Sequence, residues 1–278
     1  MERGADKMER AELVDYFFRR RWPNGFSCPT CGNGKYYRIQ TRQLPLYECS
    51  LCGRQTSVTA GTVMDKTRTS LAKWAAAIEL LASTQGVNAK QLSTAIGVKH
   101  KTAWLMLAKF RQAIGAAEAA MKLQGAVHTG LHFLAPKYIF VFLPHRHYRC
   151  ERVVSVSASV DPRGLPTALK LRVVDNSLLV PRNKELTAHG KSLIISEHAE
   201  EDATATWLND TKMHNSPLRE CLLEARSWIN RLFNGIGTKH LQRYLDEFCF
   251  RWNASARGAS GRDEWYELCC KAVPTTSA

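Results

Sequence analysis

Four cysteines near the start of the chain have the spacing of a metal site. Cys28 and Cys31 form one Cys-x-x-Cys pair, and Cys49 and Cys52 form a second pair after 17 intervening residues. Two such pairs can present four thiolates to one tetrahedral Zn²⁺ ion, as in a zinc ribbon. Because all four ligands would be protein atoms, no position is left open for a substrate. The spacing therefore predicts a structural zinc site.

Four unrelated thiols or two disulfide bonds are the alternative interpretations of these cysteines. Disulfides belong mainly to exported proteins. The sequence begins with a charged segment, lacks the apolar run of a signal peptide and contains no stretch of membrane-spanning length. We therefore expect a reducing, cytoplasmic environment and no membrane partner, which favours zinc. The remaining cysteines are interpreted as small buried hydrophobic residues or inert thiols: Cys150, Cys221, Cys249, Cys269 and Cys270.

The charge of the chain indicates an anionic partner. The net charge is +14 and the pI about 9.5. Residues 1–115 carry 18 Lys and Arg against 8 Asp and Glu, so most of the surplus lies beside the predicted zinc site. Contacts with the phosphates of double-stranded DNA explain such a local surplus better than solubility does.

A short helix and two short strands are predicted to position the cysteines. Residues 8–21 have an amphipathic helical pattern and end in three arginines. Residues 36–39 and 46–48 have the composition of strands and would form the ribbon. We assign residues 1–24 to an N-terminal helix and 25–62 to the zinc ribbon.

The next segment, 65–115, has the pattern of a helix-turn-helix domain. Leu71, Trp74, Ile78 and Leu81 fall on one helical face. Asn88 is the predicted N-cap of a second helix over 89–96, Gly97 its end, and a third helix covers 99–114. The start of that third helix would contact base edges, and Trp104 is expected in the core. An ordinary three-helix bundle is the alternative. The predicted DNA contacts are Arg54, Lys66, Arg68, Lys99, His100, Lys101, Thr102, Lys109 and Arg111.

The C-terminal half is predicted to be a larger α/β domain over 122–255. Residues 115–121 are interpreted as an alanine-rich link, and 256–278 as a polar, partly disordered tail. The predicted strands are 138–143, 153–160, 168–174 and 192–196, and the predicted helices are 218–233 and 239–253. Strands followed by helices indicate a central sheet. The fold class is therefore multi-domain α+β.

Several stretches of the sequence match motifs of one known family. The chain resembles bacterial insertion-sequence transposases that have, in this order, a zinc ribbon, a helix-turn-helix and an RNase H-like DDE domain. The resemblance is close over 20–114 and 237–253 and thin between them. It implies a central mixed sheet in the C-terminal domain and a nucleoid-associated protein of the bacterial cytoplasm. The matching stretches are 21–26 (RWPNGF), 28–31 (CPTC), 49–62 (CSLCGRQTSVTAGT), 65–68 (DKTR), 73–74 (KW), 101–104 (KTAW) and 239–248 (KHLQRYLDEF).

The resemblance also implies three carboxylates that hold one or two Mg²⁺ ions for phosphodiester chemistry. The first carboxylate position is occupied here by Gly130. Glu197, after the predicted strand 192–196, stands at the second, and Glu224 or Glu220 on a late helix is the candidate for the third. The alternatives are that Glu197 begins a solvated acidic helix and that Glu220 and Glu224 form surface ion pairs.

A metal site without its first carboxylate lacks the negative charge that should bind the bridging metal ion. We therefore expect a transposase-family DNA-binding protein with an impaired strand-transfer site and structural Zn²⁺. The alternative is an active transposase with a rearranged acidic set, which would require Mg²⁺ and form a homo-oligomer on DNA. A third class is a zinc-ribbon regulator that acts through partner proteins.

Overall fold

The computed structural model describes residues 10–41, 44–83, 86–134, 152–181, 185–258 and 261–271. The chain divides into two compact units: Met1–Ala113 with Ser260–Ala278, and Ile114–Ala259. The predicted strand 138–143 lies outside the described residues. No described helix has the length and apolar character needed to cross a membrane.

The first unit begins with a helix and a small sheet. Helix α1 (Arg10–Arg21) precedes strands β1 (Tyr36–Ile39), β2 (Leu46–Cys49) and β3 (Gln55–Thr56). β2 lies in the centre of the sheet and pairs antiparallel with both neighbours. These elements confirm the strands predicted for the ribbon.

Three helices follow: α2 (Leu71–Ser83), α3 (Ala89–Ile96) and α4 (His100–Ala120), the last of which continues past Ala113 into the second unit. The α3 bounds are as predicted because both ends are capped. The Asn88 side chain accepts from the Gln91 N–H, and the Gln91 side chain accepts from the Asn88 N–H, each at 2.9 Å. Gly97 ends the helix in the left-handed region, at φ 62°.

The tail predicted to be partly disordered instead contains a helix. Helix α9 (Gly261–Cys270) belongs to the first unit and buries Trp265 and Tyr266. The Trp265 ring lies 5.9 Å from the Phe110 ring between centroids. The Tyr266 hydroxyl donates to Glu79 Oε1 at 2.9 Å. The prediction was wrong because the aromatic residues of this segment outweigh its polar composition.

The second unit contains a four-stranded mixed sheet, as the resemblance implied. Its strands are β4 (Ala126–Leu134), β5 (Arg152–Val160), β6 (Pro166–Val173) and β7 (Thr204–Trp207), in the order β6-β5-β4-β7. The β4–β5 and β5–β6 pairs are antiparallel, and β7 is parallel to β4.

Helices cover both faces of this sheet. On one face, Ile194 of α5 (Ala188–His198) packs near Val153. On the other, Val154, Val156 and Ala158 pack with α7 (Pro217–Phe233) and α8 (Leu241–Ala256). The alternation of side chains along β5 explains this division. A short helix, α6 (Asp210–His214), connects β7 to α7.

Side chains of helix α8 form hydrogen bonds with the backbone of β6. Asn253 accepts from the Leu169 N–H at 2.7 Å and donates to the Leu169 carbonyl at 3.0 Å. Gln242 accepts from the Val173 N–H and donates to the Leu171 carbonyl. Among the described strands β6 lies at the edge of the sheet, and two side-chain amides take the place of a neighbouring strand there. One of them, Gln242, belongs to the motif 239–248 that carried the family resemblance.

Two further predictions are wrong. Residues 192–196, predicted as a strand, lie within α5, whose N-cap Thr187 accepts from the Gly190 N–H. Residues 115–120 continue α4 instead of forming a link. Gly115 does not end the helix, and a Cβ there would lie 3.3 Å from Asp246 Oδ2. Glycine inside a helix costs only about 1 kcal/mol, and here it allows a close approach.

Candidate metal centre and nucleic-acid interface

The four cysteines of the ribbon converge. Their sulfur atoms all lie within 4.8 Å of one another. Cys28 Sγ is 3.6 Å from Cys52 Sγ, and Cys31 Sγ is 3.5 Å from Cys49 Sγ. No other group of three or more His, Cys, Asp or Glu side chains in the described part of the chain is close enough to hold a metal ion.

This arrangement fits zinc. A tetrahedral ion with Zn–S bonds of about 2.3 Å has sulfur–sulfur edges of about 3.8 Å. Three of the sulfur–sulfur distances, at 3.5–3.6 Å, are slightly shorter than this edge, and all lie within 4.8 Å, so an ion would require only small adjustments. Cys28 and Cys49 are buried, whereas Cys31 and Cys52 are exposed. The cluster is therefore consistent with a structural Zn²⁺ ion bound at the surface of the ribbon.

Two similar turns shape the cluster. The Gly32 N–H donates to the Cys28 carbonyl at 2.9 Å, and the Gly53 N–H donates to the Cys49 carbonyl at 3.0 Å. Both glycines have positive φ, 73° and 67°. A side chain would strain these positions, so glycine after each pair is required by the turn.

Asn33 connects the two cysteine pairs. Its amide donates to Cys49 Sγ at 3.4 Å and to Ser50 Oγ at 3.1 Å. This hydrogen bond, with backbone N–H groups around the sulfur, lowers the pKa of Cys49 to about 6. A thiol that ionises easily is suited to ligate zinc.

An aromatic cluster joins α1 to the ribbon. The rings of Phe18 and Tyr47 lie 4.8 Å apart, those of Phe18 and Trp22 4.9 Å, and those of Trp22 and Phe26 5.1 Å. Arg21 also donates to the carbonyls of Ser57 and Val58. The helix and the ribbon therefore share one small core.

Most of the predicted DNA contacts are exposed. They lie on the ribbon, on the segment before α2 and at the start of α4. Thr102 is half-buried. The exposed side chains of the set are Arg54, Lys66, Arg68, Lys99, His100 and Lys101.

Two predicted DNA contacts have structural roles instead. Arg111 is buried, with 6% of its surface exposed. Lys109 Nζ donates to the Asp65 carbonyl at 2.5 Å, and burial lowers the pKa of Lys109. Arg111 faces the interior of the unit, whereas Lys109 is half-buried and its ammonium group is held by a backbone carbonyl. We remove them from the candidate interface.

Trp104, which was predicted in the core, is exposed. Its side chain and that of Leu105 are 54% and 47% exposed. With His100 and Lys101 they form one surface on the first turns of α4, hereafter the α4 surface. Large apolar side chains that remain exposed beside basic ones are typical of binding surfaces. The prediction placed Trp104 in the core, but Trp104 comes one residue after the buried Ala103 and therefore points to a different side of the helix.

The first expected catalytic position has no carboxylate, and a methionine side chain lies against it. Gly130 lies in β4, and a Cβ at this position would be 2.8 Å from Met213 Sδ and 3.2 Å from Met213 Cγ. The methionine of α6 therefore fills the space in which an aspartate side chain would begin.

Glu197 and Glu224 do not come together. Glu197 lies on α5, and its carboxylate accepts from Arg172 Nη1 at 3.0 Å. Glu224 is exposed on α7, which packs against the opposite face of the sheet. Glu220 is also exposed on α7. The exposure of Glu220 and Glu224 favours the surface-charge interpretation of these two, whereas Glu197 lies in the last turn of α5 instead of beginning a solvated helix.

The strand parallel to β4 identifies a carboxylate that the sequence reasoning missed. β7, not residues 192–196, runs beside β4, and Asp210 follows it at the start of α6. The alternation of residues 204–207, followed by Asn209 and Asp210, was the available signal. Asp210 is exposed.

A comparison with known protein families matches the N-terminal part of the chain. Residues 11–55 match a family model described as the transposase zinc-ribbon domain, of the IS1595 type. No curated protein and no solved structure is significantly similar to the chain. The matched span includes α1 and all four cysteines. Together with the cysteine cluster, this match supports a transposase-type protein with a zinc-binding domain and suggests that it binds DNA.

Proposed function

We propose that this protein recognises transposon-end-like double-stranded DNA through its zinc ribbon and a helix-turn-helix made of α3 and α4, and that its strand-transfer site is impaired. The observation that carries the proposal is the match of residues 11–55 to the transposase zinc-ribbon domain, together with the four converging cysteines.

The geometry of α3 and α4 supports the helix-turn-helix interpretation. Gly97 ends α3 and His100 begins α4, so three residues connect the two helices. A turn of this length with glycine is typical of the motif, whose second helix enters the major groove. The α4 surface supplies two groups for polar contacts to bases or phosphates, His100 and Lys101. Trp104 and Leu105 supply apolar contacts, for example to thymine methyl groups.

The proposed loss of strand transfer is supported by the arrangement of the second unit. Two-metal chemistry requires carboxylates that converge on ions about 3.5–4 Å apart. Gly130 supplies no carboxylate and has the Met213 side chain against it, and Glu197 is paired with Arg172. The RNase H-like interpretation of this unit is supported by the mixed sheet and its parallel β4–β7 pair. The second unit would then act as a scaffold.

Selection from a random duplex pool, with the full-length zinc-loaded protein, tests the DNA-binding part. We expect a selected duplex to bind with strong salt dependence. The double substitution His100→Ala and Lys101→Ala should weaken binding at least about tenfold, by analogy with the 1–3 kcal/mol lost per specific contact. Arg163→Ala, an exposed arginine in a turn of the second unit, is the control and should not change affinity. Equal affinity of both variants would contradict the proposed interface.

The same selected duplex tests the proposed loss of catalysis. With Mg²⁺ or Mn²⁺ the protein should neither nick nor join it. Metal-dependent nicking that Glu197→Ala or Asp210→Ala abolishes would establish the alternative, an active transposase with a rearranged acidic set.

A further inference from the structure

Two large apolar side chains lie side by side on the α4 surface. Trp104 is 54% exposed and Leu105 is 47% exposed. The same stretch of helix contributes other residues to the core of the first unit, since Ala103, Met106 and Leu107 are at most 2% exposed. Exposure of apolar area to water costs free energy, and an apolar patch beside basic groups is typical of a surface that a partner covers.

The α4 surface is held in a fixed orientation. Its four residues have the spacing i, i+1, i+4 and i+5, which places them on one side of the helix. The other side is anchored, because the ring of Phe110 packs against that of Trp74 with 5.3 Å between centroids. Lys73 Nζ donates to the Gly97 carbonyl at 2.7 Å, which ties α2 to the turn before α4. A partner therefore meets a preorganised surface.

The charge around this surface favours DNA as the partner. Residues 1–115 carry 18 Lys and Arg against 8 Asp and Glu, and His100 and Lys101 are exposed beside the apolar pair. A cationic surplus attracts a polyanion more strongly than it attracts an apolar protein surface. In the proposed helix-turn-helix, the first turns of the second helix are the part that reaches the base edges.

The chemistry of the two side chains selects one group of the major groove. The Trp104 side chain offers a single donor, the indole N–H, and Leu105 offers none. Most groups at the base edges are donors or acceptors, and an apolar side chain against them would leave them without partners. The C5-methyl group of thymine is the apolar group that a base pair presents in the major groove. It is therefore complementary to this pair of side chains.

We propose that Trp104 and Leu105 read the C5-methyl groups of pyrimidines in the major groove, so that the protein selects duplexes with thymine at the contacted positions. The inference rests on the proposed DNA-binding function and names the group of the DNA that determines its sequence preference. 5-Methylcytosine has the same methyl group on the same ring atom, so the surface also distinguishes methylated from unmethylated cosine-type positions, that is, 5-methylcytosine from cytosine. His100 and Lys101 supply the polar contacts beside it.

Replacement of thymine by uracil tests this reading in the full-length zinc-loaded protein. The duplex is one selected from a random pool, and each thymine in turn is replaced by uracil, which lacks the methyl group and keeps the same hydrogen-bonding groups. Loss of one buried methyl group should weaken binding about fourfold at each contacted position. Cytosine and 5-methylcytosine at such a position should differ by a similar factor, with the methylated duplex bound more tightly.

Substitutions assign the effect to the two side chains. The double variant Trp104→Ala and Leu105→Ala should bind the thymine and uracil duplexes equally. The double variant His100→Ala and Lys101→Ala is the matched control, because it should lose affinity for both duplexes and keep the about fourfold difference between them. Both pairs are exposed, and circular dichroism with zinc content checks that the variants fold.

The outcomes separate this inference from the proposed function. If the wild type binds no selected duplex, the proposed function is wrong and the inference falls with it. If the wild type binds a selected duplex but does not distinguish uracil from thymine at any position, the inference alone is overturned, and this result does not depend on any variant. A change of oligomeric state in the Trp104→Ala and Leu105→Ala variant, with unchanged DNA affinity, would identify the surface as a contact between copies of the chain and would also overturn the inference.

Discussion

At the level of single residues, Asn33 is the side chain that most lowers the pKa of the zinc-site cysteine Cys49. One side-chain amide contacts the sulfur of Cys49 and the hydroxyl of the next residue. Hydrogen bonds from groups outside the metal ligands commonly tune affinity. Here the hydrogen bond lowers the pKa of Cys49, so that the thiolate forms more easily.

We expect Asn33→Ala to release zinc at higher pH. The folded protein lowers the pKa of Cys49 from 9.0 to about 6. The stabilisation by the thiolate is therefore complete above pH 9 and is lost as the pH falls through about 6. Removal of the Asn33 amide raises the pKa of Cys49. One hydrogen bond contributes about 1 kcal/mol, and one pKa unit corresponds to 1.36 kcal/mol, so the pH at the midpoint of zinc release should rise by about one unit.

A colorimetric chelator that reports free zinc during acid titration measures this midpoint. Ser50→Ala is the matched control because it removes a different hydrogen bond of the Asn33 amide and leaves the contacts with Cys49 Sγ and the Lys35 carbonyl intact. If both variants release zinc at the same pH, the amide does not tune the thiolate.

At the level of elements, local signals predicted the ribbon strands and α3 of the first unit well, although not α9. Asn88 and Gly97 cap α3, and both signals lie within a few residues of the helix that they end. Residues 192–196 show where such reasoning fails. Their run of Leu and Ile has strand composition, but the Thr187 cap and the burial of Ile194 against the sheet favour a helix. Packing between residues distant in sequence decided this segment, and no local pattern contains that information.

The candidate site shows the same division. The spacing of the cysteines was sufficient to predict their convergence, because four thiolates near one ion dominate a small ribbon. The exposure of Trp104 and the position of Asp210 depend on which helix and strand lie next to them. The placement of Glu197 failed because it relied on the strand at 192–196.

Helix α9 should be essential for the stability of the first unit. Trp265 is 3% exposed and contacts Phe110 of α4. We expect Trp265→Ala to lower the free energy of unfolding of this unit by about 3–5 kcal/mol, the usual range for truncation of a buried aromatic residue. Denaturation followed by circular dichroism measures the change. Glu267→Ala, an exposed residue of the same helix, should have little effect, and equal effects would show that α9 is peripheral.

This helix also affects how the alternative of a zinc-ribbon regulator can be tested. Deletion of residues 116–278 would remove α9 and with it part of the core of the first unit. A loss of function after this deletion would therefore reflect unfolding. Point substitutions in the second unit are the appropriate test.

The edge of β6 should depend on the side-chain amides of α8. Asn253→Leu preserves volume but leaves the buried N–H and carbonyl of Leu169 without partners. We expect a loss of about 2–4 kcal/mol, since each unsatisfied buried group costs about 1–3 kcal/mol. Hydrogen exchange should increase first in β6. Ser255→Leu, an exposed position on the same helix, is the control, and unchanged exchange in β6 would show that the edge does not require this amide.

At the level of the whole molecule, charge and metal are concentrated in one unit. The cysteine cluster and the exposed α4 surface belong to the first unit, and residues 1–115 carry most of the positive surplus. The second unit has its own apolar core and no metal cluster among its described residues. The metal should therefore stabilise the first unit without direct effect on the second.

Removal of zinc should unfold the ribbon selectively. A ribbon of this size buries too little apolar surface to fold without its metal, and α1 shares the aromatic core of the ribbon. We expect a strong chelator to abolish the hydrogen-exchange protection of residues 11–55 and to weaken DNA binding more than tenfold, while protection of β5 remains.

Cys52→Ala should produce the same state without chelator and show no further change when chelator is added. Cys221→Ala, which alters a buried cysteine of the second unit, should retain zinc and respond to chelator as the wild type does. Loss of protection in both units at the same chelator concentration would show that the metal holds the whole chain together and would contradict the independence of the two cores.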